Sequence, residues 1–223
     1  MPELIQGLDP AVIRTNLERV RAEIRAAGRD PGDVEILAAV KYVPDDELDL
    51  LREAGVELVG ENRAQELASK AEAHPGAFTW DFIGTLQSRK VRVLLPYVRY
   101  IHSVASDSAL TQLGRHGTTD TEVLVEVNVS GEEGKSGVAP EALGSFIDRC
   151  PVRVIGLMTM PPLAHDPEQS RPHFAALREL ARDHGLHHLS MGTSQDYLVA
   201  SEEGATILRL GTTLYRPRQP GAS

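Results

Sequence analysis

The feature that most limits what this chain can fold into is a regular alternation of short apolar runs with longer amphipathic stretches. The apolar runs cover residues 34–40, 56–59, 79–83, 98–102, 121–129, 152–157, 188–191 and 205–210. Short, mostly apolar runs of this kind suit strands buried on both faces of a parallel sheet. Residues 44–55, 62–73, 87–95, 106–115, 140–149, 167–183 and 194–203 read as helices, one after each of the first seven strands. The fifth run, 121–129, is expected to be the longest strand. A further helix precedes them all. Asp9 supplies an N-cap with Pro10 at the first helical position, and Ile13, Leu17, Val20 and Ile24 recur at helical spacing before Gly28 and the DPGD stretch at 30–33 end it. Eight β/α units point to an α/β fold, a closed (β/α)8 barrel in one domain over residues 1–223 with the N-terminal helix as an extra. An open doubly wound sheet is the alternative. Residues 215–223 (YRPRQPGAS) hold too many helix breakers to close the ring, and 216–223 are expected to form a flexible tail.

Composition removes several classes of function. The net charge is −9, the reverse of what a non-specific nucleic-acid surface or an anionic membrane rewards. No apolar run reaches the length of a membrane span, and the N-terminus has no basic start or apolar core of a signal peptide. Cys150 is the single cysteine, which excludes an intrachain disulfide and a cysteine-rich zinc site and suits the cytoplasm. His184, His187 and His188 lack metal-ligand spacing and read as helix-terminating residues, so no metal site is expected.

In such a barrel, chemistry sits at the C-terminal ends of the strands. Those ends carry Lys41, Glu61-Asn62-Arg63, Gly84, His102-Ser103, Asn128 and Ser130, Met158-Thr159, Ser190-Gly192-Ser194 and Arg209-Gly211-Thr212-Thr213, which are expected to converge on one mouth. Lys41 ends an apolar strand. Desolvation there lowers a lysine pKa, and a lysine able to lose its proton forms a Schiff base with an aldehyde. The plain alternative is a lysine that snorkels outward from a strand end. The runs Ser190-Met191-Gly192-Thr193-Ser194 and Arg209-Leu210-Gly211-Thr212-Thr213 offer small residues, free N–H groups and hydroxyls at the last two loops, where barrels often bind phosphate. Their alternative is two tight turns that need glycine. Gly134-Lys135-Ser136 looks like part of a P-loop, but Val129 stands where that motif needs glycine, so residues 131–137 read as a flexible glycine-bearing loop over the mouth. Met158 and Met160 read as packing residues.

Seven separated motifs then point one way: Ala39-Val40-Lys41, the run 60–66 (GENRAQE), the run 82–90 (FIGTLQSRK), the run 127–137 (VNVSGEEGKSG), the run 156–160 (GLMTM), the run 189–196 (LSMGTSQD) and Arg209-Leu210-Gly211-Thr212. In this order the chain resembles the pyridoxal phosphate homeostasis protein family, from the first helix to about Tyr215. The resemblance implies a single TIM barrel like the N-terminal domain of alanine racemase, the fold type III barrel of pyridoxal phosphate proteins. It implies that Lys41 holds pyridoxal 5'-phosphate as a Schiff base, that Ser194, Gly211 and Thr212 hold its phosphate, that Asn62 lines the pocket, and that Arg209 meets either the ring nitrogen or the phosphate. Two residues depart from the family's usual pattern: Tyr42, where a small residue is common, and Thr85, where histidine is common. Both flank the pocket without removing a cofactor ligand.

The cofactor is an electron sink, and the protein chooses the reaction. A racemase needs an acid or base on each face of the substrate α-carbon. In the racemase relatives the second face is served by a tyrosine of a further β-rich domain, which is expected to be absent because the sequence ends soon after its last strand. The expectation is therefore a carrier, buffer or regulator of pyridoxal phosphate with no catalytic residues and no efficient turnover. The resemblance admits amino acids as further small-molecule partners, and leaves protein partners undefined. The alternatives are a pyridoxal phosphate-dependent racemase or lyase, and a barrel that binds another phosphate ester without forming an imine.

Overall fold

The computed structural model describes residues 4–217. Its centre is a closed barrel of eight parallel strands in sequence order: β1 (Glu35–Ala39), β2 (Leu58–Glu61), β3 (Thr79–Phe82), β4 (Val98–Val104), β5 (Glu122–Glu126), β6 (Arg153–Met158), β7 (His188–Thr193) and β8 (Ile207–Leu210). Closure is direct, with Leu37 of β1 opposite Arg209 and Ala38 opposite Leu210. Around it lie α1 (Pro10–Ala26), α2 (Leu48–Glu53), α3 (Ala64–Ala73), α4 (Val91–Leu94), α5 (Asp107–His116), α6 (Leu143–Asp148), α7 (Arg171–Asp183), α8 (Tyr197–Glu202) and α9 (Thr212–Tyr215). The expected (β/α)8 architecture is therefore observed, and the open sheet is not.

The helices pack because each carries an apolar stripe at helical spacing. Leu110 and Leu113 of α5, and Phe174, Leu177 and Ala181 of α7, are buried against the barrel. Burying each large side chain of this kind contributes about 1.5–3 kcal/mol. Several helices open with a 3-10 turn, as at Asp45–Glu47, Ser88–Lys90, Pro140–Ala142 and Pro167–Ser170, so their α-helical portions are shorter than the amphipathic pattern predicts.

Two expectations need correction. The fifth strand is not the longest: it stops at Glu126, while β4 runs for seven residues. Beyond Val127, whose N–H still donates to the Met158 carbonyl at 2.8 Å, the chain leaves the barrel and bends back on itself. Val138 N–H donates to the Glu126 carbonyl, and Val127 and Val138 form an isolated bridge. The turn-back is made by Gly131, Gly134 and Gly137, all with positive φ. The ring of helices also closes differently. α9 has four residues and ends on Tyr215, the first residue of the breaker-rich 215–223 stretch. The N-terminal helix covers this gap: α1 packs on α2, α8 and α9. Its buried Asn16 donates to the carbonyls of Leu214 and Arg216, both at 3.0 Å. Asp9 caps α1 as expected, accepting from Ala11 N–H. Most of the expected tail, residues 218–223, lies outside the described residues, as do residues 1–3 of the N-terminal reading.

No helix among the described residues is long and apolar enough to cross a membrane. Among them no cluster of three His, Cys, Asp or Glu could hold a metal ion.

Candidate functional site

The C-terminal ends of the strands surround a cavity of about 640 Å³, a size typical of small-molecule sites. All six residues singled out for ligand binding line it: Lys41, Asn62, Ser194, Arg209, Gly211 and Thr212. Tyr42, Thr85, Glu126, Ser136, Met158 and Met160 complete much of the wall.

Lys41 stands two residues beyond β1 on a tightly fixed backbone. Tyr215 Oη donates to the Ala39 carbonyl at 3.1 Å. Lys70 Nζ, on the buried face of α3, donates to the Val40 carbonyl at 2.9 Å and to Glu61 Oε2 at 2.8 Å. Glu61, fully buried at the end of β2, also accepts from Asn62 N–H at 2.7 Å. One buried ion pair thus ties the residue before Lys41 to the residue before Asn62. Lys41 itself is half-buried, and among the described residues no carboxylate pairs with it. Its ammonium lies 5.0 Å from the centroid of the Tyr42 ring. Both residues also border an adjoining groove of about 410 Å³ that includes Arg63, Glu66 and Lys70.

Asn62 is placed by a close approach. A Cβ on Gly84 would lie 2.1 Å from the Asn62 carbonyl oxygen, so only glycine lets the loop after β3 press against this backbone. The Asn62 Oδ1 is buried in the cavity wall without a hydrogen-bond partner. Such an atom is costly unless a ligand supplies a donor.

Across the mouth, β7 ends in a tight turn. Gly192 has a φ of +89°, and a Cβ there would sit 2.5 Å from Ala200 Cβ. The turn brings Ser194 against the start of α9: its Oγ accepts from Gly211 N–H and Thr213 N–H, each at 3.2 Å. Thr213 Oγ1 donates back to the Ser194 carbonyl. This lip offers hydroxyls and N–H groups that now satisfy one another; the neighbouring carboxylate, Asp196, is taken up by Thr193 N–H at 2.7 Å and Ser170 Oγ at 3.0 Å.

Arg209 is buried in the floor beneath both lips. It donates to Ser190 Oγ and, at 2.9 Å, to the Thr159 carbonyl and to Met160 Sδ. Burial lowers its guanidinium to about 10 against the opposing charges of Asp196 and Glu126, so it is still a cation at neutral pH. Burial likewise raises the Glu126 carboxyl above its ordinary value, partly offset by the Ser136 hydrogen bond and by Arg209.

Not every strand-end residue expected at the mouth lines the cavity: Glu61 and Thr159 are buried behind it, Arg63 borders the adjoining groove, and Gly192 and Thr213 support the turn around Ser194. Asn128 and Ser130 do not line the cavity; Ser130 Oγ donates to Asn128 Oδ1, Asn128 Nδ2 donates to the Glu132 carbonyl, and Glu126 and Ser136 take that sector of the wall. His102 and Ser190 lie under the floor, fully buried. Met158 is a packing residue, but Met160 is half exposed and stands at the rim. Lys70 and Tyr215 were missed. Lys70 left a signal, since it extends the buried stripe Ala64, Leu67, Lys70 of α3, where a lysine demands a partner.

The donor set suits a small phosphorylated carbonyl compound: an uncommitted amine on one side, N–H and hydroxyl donors on the other, an unpartnered amide oxygen and a cation between.

The sequence profile of the alanine racemase N-terminal domain family matches residues 8–219. A pyridoxal phosphate homeostasis protein of Aquifex aeolicus is 41% identical over 218 residues, covering 91% of this chain and 95% of that protein. Among solved structures, PipY of Synechococcus elongatus with pyridoxal phosphate bound superposes with a TM-score of 0.77 at 29% identity, covering 92% of this chain and all of that one. Alanine racemase of Corynebacterium glutamicum shares the fold at a TM-score of 0.70 and 18% identity, spanning 100% of this chain and 66% of the racemase. With its eight-stranded barrel, its mouth and its near-full-length match to these relatives, the chain belongs to the pyridoxal phosphate homeostasis protein family, within the alanine racemase N-terminal domain fold.

Proposed function

We propose that this chain binds pyridoxal 5'-phosphate through a Schiff base to Lys41. In this reading Asn62, Ser194, Arg209, Gly211 and Thr212 are the other binding residues. The protein acts in cytoplasmic pyridoxal phosphate homeostasis as a carrier, buffer or regulator without efficient catalysis. One observation carries this reading: the unpaired Lys41 amine and the Ser194–Gly211–Thr212 donors line the same cavity.

The cofactor, when bound, supplies an aldehyde for the lysine and an electron-withdrawing ring. The remaining roles belong to the protein. Lys70 and Glu61 hold the Lys41 backbone so that its amine approaches from one direction. Ser194 and Gly211 would exchange the bond between them for bonds to the phosphate, and Thr212 would add its own donors. Arg209 turns its Nη atoms toward β6 and β7, not toward Ser194 or Gly211, which favours the ring over the phosphate as its target. A guanidinium donates and cannot accept, so it gives a protonated ring nitrogen no partner, which weakens the electron sink and favours storage over turnover.

The test is to load the purified protein with pyridoxal phosphate, record its absorption spectrum, reduce with borohydride and weigh the product. The expected result is a carbonyl-adduct band and a mass gain of one reduced cofactor, both absent in Lys41→Ala, with no product from a panel of D- and L-amino acids. Product formation that disappears in Lys41→Ala would give the racemase or lyase reading instead. An unchanged mass would point to a different phosphate ester.

A further inference from the structure

Beneath the cavity floor, polar side chains from β3, β4, β7 and β8 form a continuous buried chain. Arg209 donates to Ser190 Oγ. Ser190 Oγ lies 2.8 Å from His102 Nδ1, and His102 Nε2 lies 3.0 Å from Asp81 Oδ2. Asp81 is anchored in turn: Oδ2 accepts from Arg99 Nη2 at 2.7 Å, and Oδ1 accepts from Arg99 Nε at 3.1 Å and Tyr100 N–H at 3.2 Å. Arg99 is clamped on its far side by Glu35. Ser190, His102 and Asp81 are almost entirely without solvent, so none of these groups has water as an alternative partner.

The two ends fix the direction of every bond between them. Arginine has donors only, so Ser190 Oγ must accept from Arg209. The single serine hydrogen then goes to His102 Nδ1, which must be unprotonated. The imidazole proton therefore sits on Nε2 and is donated to Asp81. A doubly protonated ring would aim two donors at Ser190 Oγ and strand the serine hydrogen in a dry interior. The charge states agree with this. Burial lowers the His102 pKa, against the pull of Asp81. Burial alone would raise Asp81, but the hydrogen bonds and charges of His102 and Arg99 prevail and hold it low.

We propose that Ser190, His102 and Asp81 are positioning residues for Arg209: a one-directional hydrogen-bond chain that fixes the orientation of its guanidinium in the cavity floor. The consequence for the ligand rests on the pyridoxal phosphate reading above; the chain itself does not. It gives a physical reason for burying these three polar side chains inside the barrel. Fixing Arg209 beforehand reduces the ordering cost on binding.

The experiment uses the cofactor-free protein labelled with ¹⁵N-histidine and ¹⁵N-arginine. Long-range ¹⁵N–¹H correlation is expected to show His102 as the Nε2–H tautomer throughout the neutral pH range, with slowly exchanging Arg209 guanidinium protons. Finding His102 as the Nδ1–H tautomer or as imidazolium overturns the proposal. In Ser190→Ala, Arg209 proton exchange is expected to speed up and the pyridoxal phosphate Kd to rise about tenfold, ~1.4 kcal/mol; unchanged exchange and affinity would refute the positioning role. Asp81→Asn adds a readout that loss of packing would not produce. A neutral amide holds the Nε2 proton less firmly than the carboxylate does, so the His102 Nε2–H signal is expected to exchange faster, and an unchanged rate would count against the chain. Should that variant fail to fold, the wild-type tautomer and Ser190→Ala still decide the matter. Should the wild-type protein bind no cofactor, the functional reading fails, while tautomer and exchange still judge the chain.

Discussion

The two lips of the barrel mouth solve opposite problems. At the β1–β2 lip, buried charge is committed to the backbone: Lys70 and Glu61 pair with each other and with the chain around Val40 and Asn62, leaving the neighbouring Lys41 unpaired. At the β7–β8 lip the charge of Asp196 is taken up by Thr193 and Ser170, away from the cavity, and the neutral donors around Ser194 and Gly211 satisfy one another through bonds of 3.2 Å. A rigid backbone under a free amine suits one directed covalent bond. A set of mutually satisfied donors suits an anion that can arrive and leave without stranding polar groups. The difference teaches that one pocket can hold a ligand by two mechanisms with separate mutational signatures.

Those signatures give an ordered series. Lys41→Ala is expected to abolish borohydride-trapped attachment entirely while leaving the thermal midpoint nearly unchanged, because the side chain is half-buried and unpaired; a large loss of stability would contradict the division of labour. Lys70→Met leaves Glu61 without its buried partner and is expected to cost about 3–5 kcal/mol in denaturant unfolding, with cofactor affinity falling as a consequence of backbone movement near Val40. Ser194→Ala should raise the cofactor Kd about tenfold, since a hydrogen bond to a charged group is worth about 1.5–3 kcal/mol, with little change in unfolding midpoint. Tyr42→Thr removes a ring 5.0 Å from the Lys41 ammonium and is expected to change affinity only a few-fold, in keeping with a partly exposed cation–π contact of about 0.5–1 kcal/mol.

The smallest effect concerns pH. Burial raises the folded-state pKa of Glu126 above its unfolded value. Its stabilising contribution is therefore complete below the unfolded pKa and is lost as pH rises through the folded one. Glu126→Gln cannot ionise, so it should be relatively more stable than the parent at neutral pH and no more stable in acid. Denaturant midpoints at the two pH values measure this, and equal shifts at both would show that ionisation is not involved.

The alternation of apolar runs made the barrel legible, because strands covered by helices on one side and packed interior on the other leave a simple pattern. Lys41, Asn62, Ser194, Arg209, Gly211 and Thr212 were legible as a set through their strand-end positions and the family motifs, and the fold brings them to one cavity. What sequence could not give was contact between remote positions. The bond between Lys70 and the Val40 carbonyl joins residues thirty apart, and the Ser190–His102 contact joins residues eighty-eight apart. The over-long fifth strand failed for a local reason: Val127 and Val129 continue an apolar pattern, but after the Val127 N–H bond to the Met158 carbonyl of β6 the backbone partner is Val138 on the returning loop, through Asn128 N–H. α1 was recognised as an extra helix, yet its place over the short α9 depends on Asn16 reaching the carbonyls of Leu214 and Arg216.

The most direct test of the two-lip account is a crystal structure of the protein soaked with pyridoxal phosphate. The account predicts continuous density from Lys41 Nζ into the ligand's former aldehyde carbon, and its phosphate seated on Ser194, Gly211 and Thr212. A ligand lying elsewhere, or a Lys41 amine turned to solvent beside an empty cavity, would contradict it.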